Sequence, residues 1–151
     1  LHIFIMPSKK MAFFMEKYAH VSNIQWMGSV KKTEVPRALA GADVLFQSTA
    51  KILYGVENKL FEYLAAGKPI IASVFQTHND LASRIGAGIS IPDGKVDSVV
   101  DAVKKMRDMG PQKRKEMGLK GREYAEQNND WSLLANRLLE LIQGAIDEIL
   151  N

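Results

Sequence analysis

Residues 54–69 decide the fold, and they read YGVENKLFEYLAAGKP. A glycine turn at Gly55 leads into a short helical segment that Gly67 ends, and an apolar strand follows at residues 69–74. A turn that enters a helix offers free backbone N–H groups and the positive end of the helix dipole, which suits a phosphate. Glu62 lies on the second turn, where a carboxylate can accept hydrogen bonds from vicinal ribose hydroxyls. This stretch therefore predicts a helix that binds both the phosphate and the ribose of a nucleotide-sugar donor.

Outward from this stretch, apolar runs and helical patterns alternate along the chain. Strands are predicted at residues 1–6, 23–27, 43–46, 69–74 and 88–91. Helical patterns separate these runs, and three more close the chain at residues 96–109, 111–127 and 131–150. Thr33 is the predicted N-cap of the helix that ends at Ala40. Because short strands alternate with helices, we expect an α/β fold with a doubly wound, mostly parallel sheet.

The third predicted strand leads into a loop at residues 47–55, which ends at the glycine turn. In doubly wound folds, ligands bind beyond the carboxyl ends of the strands, where the strand order reverses. The sequence therefore places the candidate site at this loop and at the helix that follows it.

The composition is that of a folded protein. The 151 residues are 46% hydrophobic and 25% charged, which fits one domain with an ordinary core. The absence of cysteine excludes disulfides and cysteine-ligated metals. The three histidines are scattered without metal-ligand spacing, so no metal site is predicted. No apolar run approaches the roughly 18 residues that a membrane-spanning helix needs.

The formal net charge of the chain is +3. Much of the positive charge lies on predicted helices, in a basic set made of Lys104, Lys105, Arg107, Lys113, Arg114, Lys115, Lys120 and Arg122. Two interpretations stay open, a solvated helical face or attraction to an anionic membrane surface. No nucleic-acid partner is predicted, because no aromatic or arginine-rich reading element accompanies the basic set.

Five pieces of the chain carry a family resemblance. They are NIQWMGSV at residues 23–30, LAGADVLF at 39–46, EYLAAGKPIIA at 62–72, GAGISIPDG at 86–94 and the leucine-rich helix after Trp131. In this order they resemble the C-terminal domain of the family 4 (group 1) retaining glycosyltransferases, which have the GT-B fold. The resemblance implies a Rossmann-like domain that binds the donor nucleotide. The variant at residues 54–63 resembles a subset of bacterial members that build cell-surface polysaccharides.

The resemblance implies that Glu62 holds the ribose hydroxyls of the donor. The family has another glutamate eight positions earlier, and that position is Tyr54 here. A tyrosine can donate a hydrogen bond but cannot accept as a carboxylate does, so the sequence departs from the family pattern at this point. The candidate donor-binding set is Gly28, Ser29, Ser48, Lys51, Tyr54, Gly55, Val56, Asn58, Lys59, Leu60 and Glu62. No residue is assigned as catalytic.

Three residues of this set also have a structural interpretation. Gly55 allows a close backbone approach to a diphosphate, or it forms a plain turn at the start of a helix. Lys59, on the first helical turn, opposes the helix dipole unless an anion compensates, or it is an ordinary solvated lysine. Asn58 either hydrogen-bonds the diphosphate or caps the helix.

The remaining polar and glycine positions carry the same two interpretations. Ser48 and Lys51 lie on the predicted loop, where they reach a phosphate or a sugar, or are ordinary polar loop residues. Gly28 and Ser29 follow a predicted strand, where they present backbone groups to the base edge or form a turn.

The resemblance implies a hexosyltransferase as the full-length protein. It would transfer a hexose or N-acetylhexosamine from a nucleoside diphosphate sugar, with UDP favoured, to a lipid-linked or saccharide acceptor with retention. The donor is a substrate, and no cofactor or metal is expected. Two alternatives stay open, a nucleotide-sugar epimerase of the same architecture and a non-catalytic doubly wound signalling or binding module.

The resemblance also implies that residues 1–151 form a single donor-binding domain without the family's first strand and helix. The expected partner is the protein's own N-terminal domain, and the isolated chain is expected to be inactive. We expect a cytoplasmic location, peripheral at the inner face of the plasma membrane, where the protein meets a lipid-linked acceptor.

Overall fold

The structure is a computed structural model that describes residues 2–3, 9–28, 30–48, 58–73, 80–92 and 94–150. The chain divides into two compact units, Leu1–Ala42 and Asp43–Asn151. Each unit has its own parallel sheet and its own helices. A single donor-binding domain over residues 1–151 stays a prediction.

The first unit combines two short strands with two helices. β1 (His2–Ile3) lies parallel to β2 (Gln25–Trp26), and α1 (Lys9–Lys17) lies between them in the chain. A 3-10 turn (Lys32–Glu34) then leads into α2 (Val35–Ala40). This strand–helix–strand order is the one that the sequence predicts for residues 1–27.

The prediction that Thr33 caps a helix is wrong. Thr33 lies inside the 3-10 turn, and α2 begins at Val35 without a side-chain cap. Pro36 occupies the first turn of α2. Proline suits this place because its fixed φ fits a helix and its missing N–H would have had no acceptor there.

The second unit contains a three-stranded parallel sheet. Its strands are β3 (Leu45–Ser48), β4 (Ile70–Ser73) and β5 (Gly88–Ile91), in the order β3-β4-β5. α3 (Asn58–Ala65) lies between β3 and β4 in the chain, and α4 (Leu81–Arg84) lies between β4 and β5. The three strands end level with one another, because Ser48 pairs with Ser73 and Ser73 pairs with Ile91.

β3 extends beyond the end that the sequence predicts. Gln47 and Ser48 belong to the strand and pair with Ala72 and Ser73, so their assignment to a loop is wrong. Hydrophobic patterning ends a strand at its last apolar residue. It therefore misses polar residues that continue the backbone pairing.

Both faces of this sheet are covered by helices. Successive strand residues point to opposite faces, so Ile70 and Ile71 enter different cores. The core of Ile70 includes residues of α3, α4 and α6 (Gly110–Asn128), whereas the core of Ile71 includes residues of α5 (Val96–Asp108). This arrangement confirms the predicted α/β class with a helix-covered parallel sheet.

α6 approaches the end of α3 closely because its contact side consists of small residues. Gly118, Gly121 and Ala125 are buried along this side. A Cβ atom at position 118 would overlap the carbonyl oxygen of Gly67. A Cβ at position 121 would lie 3.0 Å from Cδ2 of Leu64. The two glycines therefore let the α6 backbone lie directly against the turn after α3.

α7 (Trp131–Leu150) closes the chain and contacts α6. Its large apolar side chains recur at helical spacing, yet Trp131 and Leu138 are 85% and 58% exposed. None of the helices that the structure describes is long and apolar enough to cross a membrane.

Candidate functional site

The parallel directions of β3 and β4 determine on which side of the sheet α3 begins. β3 and β4 are parallel, so the connecting helix must return along the sheet before β4 can start. The first residue of α3, Asn58, therefore lies on the side of the sheet where the strands end. This is the edge at which doubly wound folds bind their ligands.

α3 has one buried side and one exposed side. Leu60 and Leu64 are 4% and 0% exposed and belong to the core beneath the helix. Asn58, Lys59 and Glu62 are exposed. Because residues four positions apart on a helix are neighbours, Glu62 lies one turn from Asn58 on the same face. The structure thus brings these three predicted residues together on the solvent side of α3.

The first turn of α3 favours an anion. The first four N–H groups of a helix have no acceptor within it, and those of Asn58, Lys59 and Leu60 are in this group. The turn contains Lys59 and no acidic residue. The side chain of Leu60 packs in the core, so this residue can offer a ligand only its backbone. The helix dipole and Lys59 add positive charge at the same place.

Polar side chains also line the sheet just before its strands end. Gln47 and Ser90 both pair with Ala72, which belongs to the core under α3. Ser90 donates its hydroxyl hydrogen to Oδ1 of Asp80, and the same oxygen accepts the backbone N–H of Ser83 at 3.2 Å. Asp80 therefore caps α4 and ties it to β5.

Sequence reasoning did not identify the polar side chains of Gln47, Asp80 and Ser90 at this edge of the sheet. Gln47 is only 7% exposed, although hydrophobic patterning placed it in a loop. Asp80 had a usable signal, since an aspartate directly before a helical pattern is typical of an N-cap. The bond from Ser90 to Asp80 joins residues of two different elements, so local spacing gave no sign of it.

The C-terminal end of α3 is closed by hydrogen bonds. Gly67 has a left-handed φ of 66°, and its N–H donates to the carbonyl oxygen of Leu64 at 2.9 Å. Nη1 of Arg122 on α6 donates to the carbonyl oxygen of Ala65 at 2.7 Å. Nε of Arg122 pairs with Oε1 of Glu126 at 2.6 Å.

Other members of the basic set also have partners within the protein. Nη1 of Arg114 donates to the carbonyl oxygens of Met106 and Arg107 at 3.0 and 3.3 Å, at the end of α5. The hydrogen bond from Nε of Arg107 to Asp108, 2.7 Å long, holds the pKa of that carboxyl below its usual value. Arg114 and Arg122 of the basic set thus donate hydrogen bonds to carbonyl oxygens at helix ends. The attraction of the basic set to a membrane stays a prediction.

Five predicted site residues lie outside the part of the chain that the structure describes: Ser29, Lys51, Tyr54, Gly55 and Val56. For Ser48 the structure gives the backbone position, as the last residue of β3.

Gly28 follows β2 in the first unit and has a left-handed φ of 71°. This value favours glycine and fits the turn interpretation. A contact of Gly28 with a nucleobase stays a prediction. Across the residues that the structure describes, no group of three or more His, Asp or Glu side chains is placed to hold a metal ion.

Comparison with known proteins identifies the family. The family model described as "Glycosyl transferases group 1" matches residues 2–108. The chain belongs to the glycosyl transferase group 1 family. Curated protein sequences give no match to this chain.

Solved structures of glycosyltransferases have the same fold. Sucrose-phosphate synthase from Thermosynechococcus elongatus is 15% identical with a TM-score of 0.79, and the match covers 98% of this chain and 39% of that protein. HepE from Anabaena, in complex with UDP, is 17% identical with a TM-score of 0.69, covering 90% of this chain and 36% of HepE. WaaG, "a glycosyltransferase involved in lipopolysaccharide biosynthesis", is 18% identical with a TM-score of 0.66, covering 89% of this chain and 36% of WaaG.

The structural matches confirm the predicted Rossmann-like fold of the GT-B type for this member of the glycosyl transferase group 1 family. The chain spans less than two-fifths of the length of each of these three proteins. Assignment to family 4 and to the bacterial surface-polysaccharide subset stays a prediction.

Proposed function

We propose that this chain is the donor-binding domain of a retaining glycosyltransferase. The full protein would transfer a hexose or N-acetylhexosamine from a UDP-sugar to a lipid-linked or saccharide acceptor in cell-surface polysaccharide synthesis. The observation that carries this proposal is the exposed face of α3, where a positively charged first turn and the Glu62 carboxylate lie one turn apart.

Each part of this face has a role toward the donor. The first-turn N–H groups and Lys59 bind the diphosphate, and Glu62 accepts hydrogen bonds from the ribose hydroxyls. Four residues of helix rise by about 6 Å, which is the scale that separates a ribose from the diphosphate attached to it. The nucleotide would therefore lie along α3, with its phosphates at the first turn.

This arrangement assists departure of the leaving group. As the bond between the sugar and the diphosphate breaks, negative charge grows on the phosphate oxygens. Preorganised N–H groups and a lysine stabilise that charge without having to reorganise. The proposal includes no metal ion, no cofactor and no nucleophile from this domain. The protein's own N-terminal domain would bind the acceptor and close the cleft.

The comparisons support the choice of donor and of pathway class. Structures of Anabaena HepE contain UDP, UDP with glucose, and UDP-glucose. WaaG is described as acting in lipopolysaccharide biosynthesis. A lipid-linked acceptor would place the protein at the cytoplasmic face of the membrane, with the exposed lysines of the basic set toward anionic lipid.

Nucleotide titration tests the proposal on this chain. Amide signals of isotopically labelled protein are followed while UDP, GDP and ADP are added separately to millimolar concentration. We expect UDP to shift the signals of residues 55–62 more than the other nucleotides do. If none of the three nucleotides shifts these signals, the proposal is contradicted.

A pair of glutamate variants separates the site from the rest of the surface. Glu62→Ala is expected to abolish the UDP-dependent shifts of α3. Glu123→Ala removes an exposed carboxylate from α6 and is the matched control. It is expected to leave the shifts unchanged. Loss of the response in both variants, or in neither, would argue against a role of Glu62 at the site.

A further inference from the structure

Leu60 and Leu64 anchor the site helix α3 in the core, and further contacts hold the end that lies away from its candidate ligand. At this end the turn through Gly67 packs against Gly118 of α6, and Arg122 donates to the carbonyl oxygen of Ala65, the last residue of α3. The opposite end offers Asn58, Lys59 and Glu62 to solvent. The position of these three residues therefore depends on the packing of Leu60 and also on contacts made several residues farther along the helix.

Arg122 contributes a side-chain hydrogen bond to these contacts. It lies 57 residues beyond Ala65 in the sequence, yet its Nη1 is 2.7 Å from the carbonyl oxygen of Ala65. Its Nε is 2.6 Å from Oε1 of Glu126, one turn along α6. A guanidinium group is planar, so two bonds in different directions fix its orientation as well as its position.

We propose that Arg122 is a positioning residue for the donor site: through Ala65 it sets the direction of α3 and so aims the first-turn N–H groups and Glu62 at the nucleotide. This inference rests on the proposed function. Arg122 itself does not touch the donor.

The length of α3 connects Arg122 to the far end of the helix. α3 has eight residues and is about 12 Å long, so a tilt at Ala65 displaces the backbone at Asn58. A displacement of only about 1 Å is enough to weaken a preorganised site strongly.

The chain contains a matched control for this proposal. Arg114 lies on α6 as Arg122 does, and its Nη1 also donates to carbonyl oxygens at a helix end, those of Met106 and Arg107. The helix that it closes is α5, which lies on the other face of the sheet from α3. Arg114→Ala thus removes the same chemistry without touching the donor helix.

The test measures UDP affinity and thermal unfolding for wild type, Arg122→Ala, Arg122→Lys and Arg114→Ala. Binding is measured well below the lowest melting temperature, so every sample is folded. We expect Arg122→Ala to raise the Kd for UDP by about threefold or more, whereas Arg114→Ala leaves it unchanged. Arg122→Lys keeps an N–H donor for the carbonyl oxygen of Ala65 but loses the planar fork, so it should recover part of the affinity.

Amide hydrogen exchange without nucleotide gives a second measurement. We expect Arg122→Ala to speed exchange in α3 and Arg114→Ala to speed it at the end of α5. If Arg122→Ala does not fold, Glu126→Gln takes its place, because it frees the guanidinium on one side while keeping Arg122. The same direction of change in affinity and exchange is then expected, with a smaller amplitude.

The outcomes separate the two proposals. A wild-type protein that binds no nucleoside diphosphate overturns the proposed function, and with it the role of Arg122 toward a donor. A wild-type protein that binds UDP with the same Kd as Arg122→Ala overturns the positioning role alone. Equal loss of affinity in the Arg122→Ala and Arg114→Ala variants would overturn it as well, since the effect would then reflect general stability.

Discussion

The two ends of α3 differ in burial and in polarity. Its C-terminal end is buried and closely packed, with Leu64 fully inside the core and Gly118 against the following turn. Its N-terminal half has an exposed polar face formed by Asn58, Lys59 and Glu62. We therefore expect substitutions at the C-terminal end to change mainly the stability of the protein. Substitutions on the exposed face are expected to change mainly the proposed binding of the donor.

The largest expected effect falls at the buried end. Leu64→Ala empties a fully buried position between α3 and α6 and should lower the free energy of unfolding by about 2–5 kcal/mol. Chemical denaturation followed by circular dichroism measures this change.

Leu138→Ala on α7 is the matched control for this prediction. Leu138 is 58% exposed, so its truncation should cost less than about 1 kcal/mol. Equal costs at the two positions would show that burial does not distinguish the buried end of α3 from an exposed helix face.

The next-largest effect on stability is expected at Gly118, which packs against the turn after α3. Gly118→Ala places a Cβ against the carbonyl oxygen of Gly67, and the required shift should destabilise the protein by about 1–3 kcal/mol. Gly144→Ala on α7 makes the same substitution in open space. It should stabilise the protein by up to about 1 kcal/mol, because alanine favours a helix. Thermal melts of the two variants should therefore shift in opposite directions.

The smallest effect on stability belongs to the exposed face. Lys59→Ala should change the free energy of unfolding by less than about 0.5 kcal/mol. Any change should be stabilising, since a cation in the first turn opposes the helix dipole. The affinity for UDP should nevertheless fall, whereas the affinity for uridine, which has no phosphate, should stay the same. Calorimetric titration with both ligands checks this, and equal losses for both would contradict a phosphate role.

Much of the fold was predictable because it follows local patterns. Alternating apolar runs and helical periods predicted the five strands in the described part of the chain and the three closing helices. The observed ends of α5, α6 and α7 differ from the predicted ones by one residue at most. The errors in the predicted ends of helices and strands occurred where another feature overrode the local sequence pattern. Pro36 moved the start of α2 past Thr33, and polar Gln47 and Ser48 continued β3 by backbone pairing.

The hydrophobic pattern also failed to distinguish α6 from α7. α6 is strongly polar, yet it packs closely through glycine and alanine, whereas α7 has a continuous apolar face that is exposed. Small buried residues leave little signal in a hydrophobicity pattern. The packing of α6 was therefore visible only in three dimensions.

The site was predictable in part for the same reason. The order of turn, helix and strand placed Asn58, Lys59 and Glu62 on one helix, and the structure puts all three on its exposed face. The contact from Arg122 to Ala65 joins positions 57 residues apart, so no local spacing announces it. The roles of all these residues toward a donor stay predictions.

The proposed role of Glu62 is to accept hydrogen bonds from the ribose hydroxyls of the donor. The most direct test compares the affinities of UDP and of its 2′,3′-dideoxy analogue, in wild type, Glu62→Ala and the control Glu123→Ala. Because hydrogen bonds to a charged group are worth about 1.5–3 kcal/mol, wild type and the control should prefer UDP by about tenfold or more. We expect this preference to disappear in Glu62→Ala. A preference of the same size in all three proteins would rule out a contact between Glu62 and the ribose.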